Sequence, residues 1–336
     1  MVLRVAALLD PNGIPTEFFN TPAALGHYRK QRGAGVDPED AADTIRTLHR
    51  YGLADTTRDP DTGITLMRVH ALVQRVAAEA APSRDRREST FCAADALVQL
   101  WPHIENNHAT AHLGHLLRAN TAALAVAGGE HLWQLRTGTP AVHPVLVRAG
   151  DSLGQIGQVA AARDYFRQLS AEAARRLGTG HRGALMTRSK FAYWTGKAGN
   201  PTGAATALEQ LLADYARMFG HGHRFVLDIR YGLARWTGEA GDAAVAAATF
   251  EQLLPVYVRM FGTDHRRTLA ARHGLARWQG EAGDPVAAAD AFEQLLDDRL
   301  RVLGPDHPDT LATVHQLGHW RGRVDTHAHP PTAIPR

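Results

Sequence analysis

Histidine is the residue whose spacing in this sequence most invites a chemical explanation. His181, His223, His265 and His307 follow one another at intervals of 42 residues. Imidazole nitrogens bind zinc, but the ligands of a zinc site usually include pairs only a few residues apart. One histidine per 42 residues does not give that spacing. We therefore expect each histidine to order its loop or to cap a helix rather than to hold a metal.

Other reactive side chains lack the neighbouring functional groups that catalysis requires. Cys92 is the single cysteine, which excludes a disulfide within the chain, and no activating motif accompanies it. Asp297 and Asp298 are adjacent on a predicted helix and fall on its solvated face. The sequence contains no Gly-x-x-x-x-Gly-Lys-Ser/Thr phosphate loop, no dinucleotide loop and no metal quartet. We expect no enzyme activity, no cofactor and no metal.

The 42-residue interval relates residues of two further types. It separates four glycines and four tryptophans, namely Gly178, Gly220, Gly262, Gly304, Trp194, Trp236, Trp278 and Trp320. Each unit is predicted to contain a loop and two helices. In one unit the first helix covers 268–281, Gly283-Asp284-Pro285 breaks it, and the second helix covers 285–303. Stacked helix pairs can bury apolar faces that one pair cannot, so the repeats predict an α-solenoid with tryptophans packed between units.

The repeats extend over residues 143–322. A degenerate first unit is predicted at 143–176, and the last unit is reduced to one helix near 309–320, as expected for a helix that caps an array. Residues 81–142 are predicted to form a helical linker or first solenoid layer, and residues 323–336 a disordered tail.

Several residues carry a resemblance to a known family. Leu233-Ala234, Gly241, Ala246 and Phe250 resemble the tetratricopeptide consensus. The 42-residue period and the phrase LGPDHPDTL at 303–311 are similar to the kinesin light chain variant of that family, and residues 275–284 resemble repeats of actinobacterial signalling proteins. This resemblance implies a right-handed solenoid of helix hairpins whose first helices line a concave groove.

In tetratricopeptide arrays, two exposed positions per first helix, one turn apart, usually contact the ligand. Their register selects Ser189, Tyr193, Tyr231, Arg235, His273, Arg277, His315 and His319. Arginine provides a planar fork for carboxylates and tyrosine a rigid contact area, so we hypothesise an acidic or carboxylate-ended peptide ligand. Glu239 and Glu281, one turn further along, partly offset the charge. Kinesin-type groove asparagines are absent from most of these positions, and a purely solvated or packing role stays open.

Residues 1–80 do not share the period. Helices, one of them over 41–51, precede two predicted strands (53–57 and 64–69) around an Asp/Gly turn, which is a hairpin signature. This order suggests a winged helix. The segment, including 67–74, resembles the winged helix that follows the nucleotide-binding core of NB-ARC-type signalling ATPases. The core is missing from the sequence, so the chain could be a fragment, a split gene product or a degenerate relative, and a separate ATPase is a candidate partner.

The predicted fold is mainly α: a right-handed tetratricopeptide solenoid with a small winged-helix-like domain at 1–80. The leading functional hypothesis is a non-enzymatic scaffold that binds a protein or peptide in a regulatory or signalling system. The alternative is a transcriptional regulator that reads DNA with Arg46, His49 and Arg50 on the 41–51 helix. Acidic residues at the start of that helix, Asp37 and Asp40 among them, would repel phosphate.

Composition and the N-terminus bear on partners and location. Lys and Arg number 37 and Asp and Glu 34, a net charge of +3, so nucleic acid is not required as a partner. Residues 1–9 are too short for a signal peptide's apolar region, and no stretch approaches the roughly 18 apolar residues of a membrane span. The single cysteine fits a reducing compartment. We expect a cytoplasmic protein with no membrane partner.

Overall fold

A computed structural model of the protein describes residues 1–33 and 35–328. It divides into two compact units, of which unit 1 comprises residues 1–191 and unit 2 begins at Ala192. Helix α9 (Arg182–Lys197) spans this division.

Unit 1 begins with a small module of helices and strands. Its elements are α1 (Val2–Ala6), β1 (Ile14–Pro15), a 3-10 helix (Thr16–Asn20), α2 (Pro22–Arg32), α3 (Pro38–Arg50), β2 (Ala54–Arg58), β3 (Thr65–Val69) and α4 (Ala71–Glu79). The three strands pair antiparallel in the order β1-β3-β2. The β2–β3 hairpin was predicted, whereas the two-residue strand β1 was not. The chain therefore has a small N-terminal region of helices and sheet, as the sequence predicted.

Helices α5 (Ser83–Leu100) and α6 (His108–Gly128) pack directly on this module. The side chain of Asn120 in α6 is fully buried, donates to Gly13 O at 2.9 Å and accepts from Asp10 N at 3.1 Å. Cys92 in α5 is buried with its sulfur 3.8 Å from Ala23 O, and burial raises the pKa of this thiol to about 12. Because these contacts join residues 69 to 110 positions apart, α5 and α6 belong to the same core as the module.

The last complete helices of unit 1 are a pair, α7 (Pro144–Gln155) and α8 (Val159–Leu177), where the degenerate repeat was predicted. Unit 2 continues the alternation with α10 (Pro201–Phe219), α11 (Arg224–Glu239), α12 (Ala243–Phe261), α13 (Arg266–Glu281), α14 (Pro285–Leu303) and α15 (Pro308–Ala328). We call α9, α11, α13 and α15 the A helices, and α10, α12 and α14 the B helices. The prediction of tandem helix hairpins is confirmed.

The last helix is longer than predicted. Helix α15 continues to Ala328, so residues 323–328 of the predicted tail are helical. The rest of that tail, 329–336, lies outside the described residues.

The loops between the helices have the conformations that the glycines predicted. Gly283 and Gly262 have φ angles of 112° and 90°, which glycine adopts without a steric penalty. Asp284 then caps α14, accepting a hydrogen bond from Ala287 N at 2.9 Å.

The periodic histidines cap the A helices. In unit 2, Nδ1 accepts a backbone N–H two residues further on, at 3.2 Å for His223, 3.2 Å for His265 and 3.1 Å for His307. In unit 1, His181 does the same at 3.0 Å. The rings of His223 and His265 also stack on phenylalanines, with centroids 4.9 and 4.8 Å apart. The predicted capping role is confirmed.

The tryptophan column packs between successive repeats, as predicted. Trp236, Trp278 and Trp320 are buried, and each ring occupies the space beside a glycine of the preceding A helix. A Cβ added at Gly196, Gly238 or Gly280 would lie 2.6, 2.5 or 2.7 Å from the ring. Three glycines spaced by 42 residues are therefore matched to three tryptophans, and no side chain larger than hydrogen fits between them without displacement.

Candidate peptide-binding surface

The residues selected from the sequence for ligand binding all lie on A helices. Ser189 belongs to unit 1, where its hydroxyl donates to Leu185 O at 2.9 Å. The other seven belong to unit 2, and we call them the A-helix row: Tyr193, Tyr231, Arg235, His273, Arg277, His315 and His319.

Two members of the A-helix row are packing residues as much as surface residues. The ring of Tyr231 meets Phe250 edge to face at 5.1 Å, and His273 meets Phe292 in the same way at 5.0 Å. Burial raises the pKa of Tyr231, an effect that nearby Arg235 opposes. Burial, together with neighbouring arginines, lowers the pKa of His273 to about 4, so this imidazole is neutral at pH 7.

A buried arginine supports His273. Arg299 in α14 is 3% exposed and donates to Asp309 O at 2.6 Å and to Thr313 Oγ1 at 2.5 Å. Its Nη1 lies 3.3 Å from His273 Nδ1. A guanidinium can only donate, so Nδ1 accepts and the imidazole proton lies on Nε2.

The two arginines of the A-helix row lie over tryptophans. The guanidinium carbon of Arg235 is 4.8 Å from the ring centroid of Trp236, and that of Arg277 is 4.3 Å from Trp278. This contact with an aromatic ring stabilises each cation beside the packed helix layer. The two positions are thus equivalent in their aromatic support.

They differ in their counterions. Arg277 Nη1 lies 2.9 Å from Glu239 Oε1, a salt bridge from α13 back to α11. The offset of charge by Glu239 that the sequence predicted is thereby confirmed for Arg277. Arg235 has no ion-pair partner within the described residues. Lys197, which the sequence analysis did not select, stands 42 residues before Glu239 and is exposed.

The A-helix row becomes more open toward its end. His315 and His319 on α15 are exposed, and His319 meets Trp320 edge to face at 4.8 Å. Glu281 pairs with Arg323 at 3.6 Å. The row therefore offers aromatic edges, imidazoles, one arginine with a carboxylate partner and one without.

The helix considered for DNA binding presents little free positive charge. On α3, Arg46 forms an ion pair with Asp43, and His49 Nδ1 lies 3.2 Å from Ala54 O and 3.7 Å from Asp55. Arg50 lies over the ring of Tyr51 at 5.5 Å. Uncompensated cations supply most of the affinity for a phosphate backbone, and α3 has few of them.

Two other kinds of site were sought in the described ranges, 1–33 and 35–328. Within them, no group of three or more His, Cys, Asp or Glu side chains is arranged to hold a metal ion. None of the helices in this part of the chain combines the length and apolar character needed to cross a bilayer.

Comparisons with known proteins agree with the repeat geometry. Residues 225–300 match the family model described as tetratricopeptide repeat. Functionally curated proteins give no match. Among solved structures, a putative kinesin light chain from Podosopora anserina with nearly identical TPR-like repeats is 25% identical, with 55% of this chain and 87% of that chain covered and a TM-score of 0.47.

Two further solved structures are similar to this chain. BtubC (BKLC) from P. vanneervenii is 18% identical over 57% of this chain and 83% of that one, with a TM-score of 0.44. A Signal Transduction ATPase with Numerous Domains that has a tetratricopeptide repeat sensor, from Pyrococcus horikoshii, is 12% identical over 99% of this chain and 57% of that chain, with a TM-score of 0.24.

Repeats of this kind generally act as non-catalytic scaffolds that bind other proteins. The 42-residue unit matched at 225–300 recurs before and after that range, with the same histidine caps and tryptophan packing. The chain carries tetratricopeptide repeats.

Proposed function

We propose that this protein is a non-enzymatic interaction scaffold that binds an acidic peptide along the A helices of unit 2. The observation that carries the proposal is the pair of tryptophan-stacked arginines, Arg235 and Arg277, on neighbouring A helices. Stacked guanidinium groups are rigid donors for carboxylates, and Tyr193 adds aromatic surface beside Trp236, with ring centroids 6.1 Å apart.

The charge of the neighbouring B helices supports the A helices as the binding face. Arginines near the C-terminal ends of two B helices are paired, Arg217 with Asp214 at 3.1 Å and Arg301 with Asp264 at 2.6 Å. Such exposed ion pairs are screened and already satisfied, so they attract a ligand weakly.

The test is a peptide selection on the full chain followed by charge reversal. Peptides selected from a random display library should be enriched in Asp and Glu. The Arg235→Glu/Arg277→Glu double variant should bind them at least about tenfold more weakly, since charge pairs at interfaces are worth 1.5 kcal/mol or more. The matched control is Arg217→Glu/Arg259→Glu, which changes the net charge equally on the B helices.

Selected peptides without acidic residues, or an equal loss of affinity in both double variants, would contradict the proposal. Circular dichroism of each variant separates loss of binding from loss of folding.

An ATPase is a second candidate partner, and binding to it would give this protein a regulatory or signalling role. The specific observation in its favour is the connectivity of residues 1–80, which agrees with the winged-helix segment of NB-ARC-type ATPases. The sequence has no phosphate-binding loop, so nucleotide would be bound by the partner. Co-expression with an NB-ARC-type P-loop ATPase, followed by size-exclusion chromatography, should give co-elution; separate elution would contradict this partner.

A further inference from the structure

The two positions joined by the inter-repeat salt bridge of unit 2 recur with the 42-residue period, so the residues at these positions can be compared from one repeat to the next. Arg277 on α13 reaches back to Glu239 on α11 at 2.9 Å. One repeat earlier, the equivalent positions are Arg235 and Lys197. The position of the acid, Glu239, is thus occupied by a lysine in the earlier repeat, whereas the position of the arginine is occupied by arginine in both repeats.

The surroundings of the two arginines are otherwise alike. Each guanidinium lies over the tryptophan that follows it in the sequence. Trp236 packs on Gly196, the residue before Lys197, and Trp278 packs on Gly238, the residue before Glu239. The helix contacts beside the Glu239–Arg277 pair are therefore repeated beside Lys197 and Arg235.

Neither cation has an internal anion. Among the described residues, Lys197 and Arg235 have no carboxylate at ion-pair distance. Glu239 lies one turn after Arg235 on the same helix, but its carboxylate is held by Arg277. Two neighbouring like charges repel each other, and an anion bound between them removes that repulsion.

We infer that Lys197 and Arg235 form a binding site for a carboxylate side chain of the peptide ligand, which takes the place that the Glu239 carboxylate occupies in the next repeat. This inference rests on the proposed function and names the point on the A-helix row where the acid binds. A carboxylate is favoured over phosphate because the neighbouring repeat already holds a carboxylate on a tryptophan-stacked arginine in this register. Arg277, whose charge is compensated, contributes less to the ligand than Arg235.

The test uses the full chain and fluorescein-labelled hexaglutamate, followed by fluorescence anisotropy at about 50 mM salt, where surface charges are weakly screened. Lys197→Glu should close the pair with Arg235 and weaken binding by about tenfold or more. Its thermal stability should be unchanged or higher, because it gains the salt bridge. Arg259→Glu, an exposed B-helix cation changed by the same net charge, should leave affinity within about twofold.

A variant in which the lysine and the glutamate are exchanged provides a control with the amino-acid composition of the natural protein. The Lys197→Glu/Glu239→Lys variant has the net charge of the natural protein and moves the open cation pair one repeat along, onto Arg277. Binding of hexaglutamate should return to within about threefold of the natural protein. Failure of the swap to restore binding would overturn the inference.

Three other results would also overturn it: no binding of hexaglutamate at low salt, equal losses in Lys197→Glu and Arg259→Glu, or tighter Lys197-dependent binding of labelled oligo-dT, which would make the site one for phosphate. If a display-selected peptide binds the A helices of the Lys197→Glu variant with the affinity it has for the natural protein, this site alone is overturned. Absence of any peptide on the A helices overturns the proposed function itself.

Discussion

The ring of Trp278 occupies the space in which a side chain at Gly238 would lie, with its Cε2 2.5 Å from the position of a Cβ there. This contact joins α13 to α11, and it repeats at Trp236 with Gly196 and at Trp320 with Gly280. The stacking of the repeats therefore depends on glycine at these positions rather than on helix propensity, which glycine lowers.

Gly238→Ala should destabilise unit 2, because the added methyl group displaces a buried ring. Overpacking of this kind costs about 1–3 kcal/mol. The matched control is Gly318→Ala on α15, where a Cβ meets nothing within 4 Å. There the change should stabilise by about 0.5–1 kcal/mol through helix propensity. Urea unfolding of both variants checks the opposite signs, and equal effects would contradict the packing account.

His265→Ala should lower the free energy of unfolding by about 1–2 kcal/mol, since it removes the acceptor for Arg267 N at the start of α13. It also removes a ring that stacks on Phe261. His265→Asn keeps a capping acceptor and should lose less than half as much. Thermal unfolding followed by circular dichroism distinguishes them, and an asparagine variant as unstable as the alanine variant would rule out capping as the main role.

Stability should fall in acid because of His273. Its pKa is about 4 in the folded protein, below the ordinary value of 6.5, because burial and nearby arginines disfavour the charged imidazole. The unfolded chain thus binds the proton first, and stability present above pH 6.5 is lost as the pH falls toward 4. This group alone lowers stability by about 2 kcal/mol between pH 7 and pH 5.

The measurement is urea unfolding at both pH values. His273→Gln should reduce the acid loss by that amount, whereas His315→Gln, at an exposed position, should leave it unchanged. Identical acid losses in the natural protein and His273→Gln would show that another group is responsible.

Arg299 stands where the two preceding repeats have tyrosine, Tyr215 and Tyr257. Tyr257 donates to Leu227 O at 3.2 Å, and Arg299 reaches the equivalent carbonyl, Leu269 O, at 3.4 Å. Arg299→Tyr should therefore change stability by less than about 1 kcal/mol, whereas Arg299→Ala should cost about 3 kcal/mol by leaving a cavity and unpaired carbonyls. If the two variants unfold at the same urea concentration, the tyrosine-like role is excluded.

Much of unit 2 could be predicted because helix ends are decided locally. The Gly-Asp-Pro break predicted the start of α14 at Pro285, and the histidines predicted caps that the loops provide. The tryptophan packing followed from the period. The glycines that receive those rings were missed, although Gly196, Gly238 and Gly280 show the same interval.

The chemistry of the A-helix row was less predictable. Register placed Tyr231 and His273 on the ligand-facing side, but their rings turn onto Phe250 and Phe292, which only the packed structure reveals. The attachment of α6 to the N-terminal module was also not predicted, because the hydrogen bond from Asn120 to Gly13 O depends on side-chain pairing that has no periodic signal. Lys197 could have been found by comparing charges along the column that contains Glu239 and Glu281.

Hydrogen–deuterium exchange on the full chain, with and without a display-selected acidic peptide, tests the central claim most directly. The peptide should slow exchange in the A helices α9, α11 and α13 and leave the exposed surfaces of the B helices unchanged. Protection confined to α10, α12 and α14, or to unit 1, would contradict binding along the A-helix row.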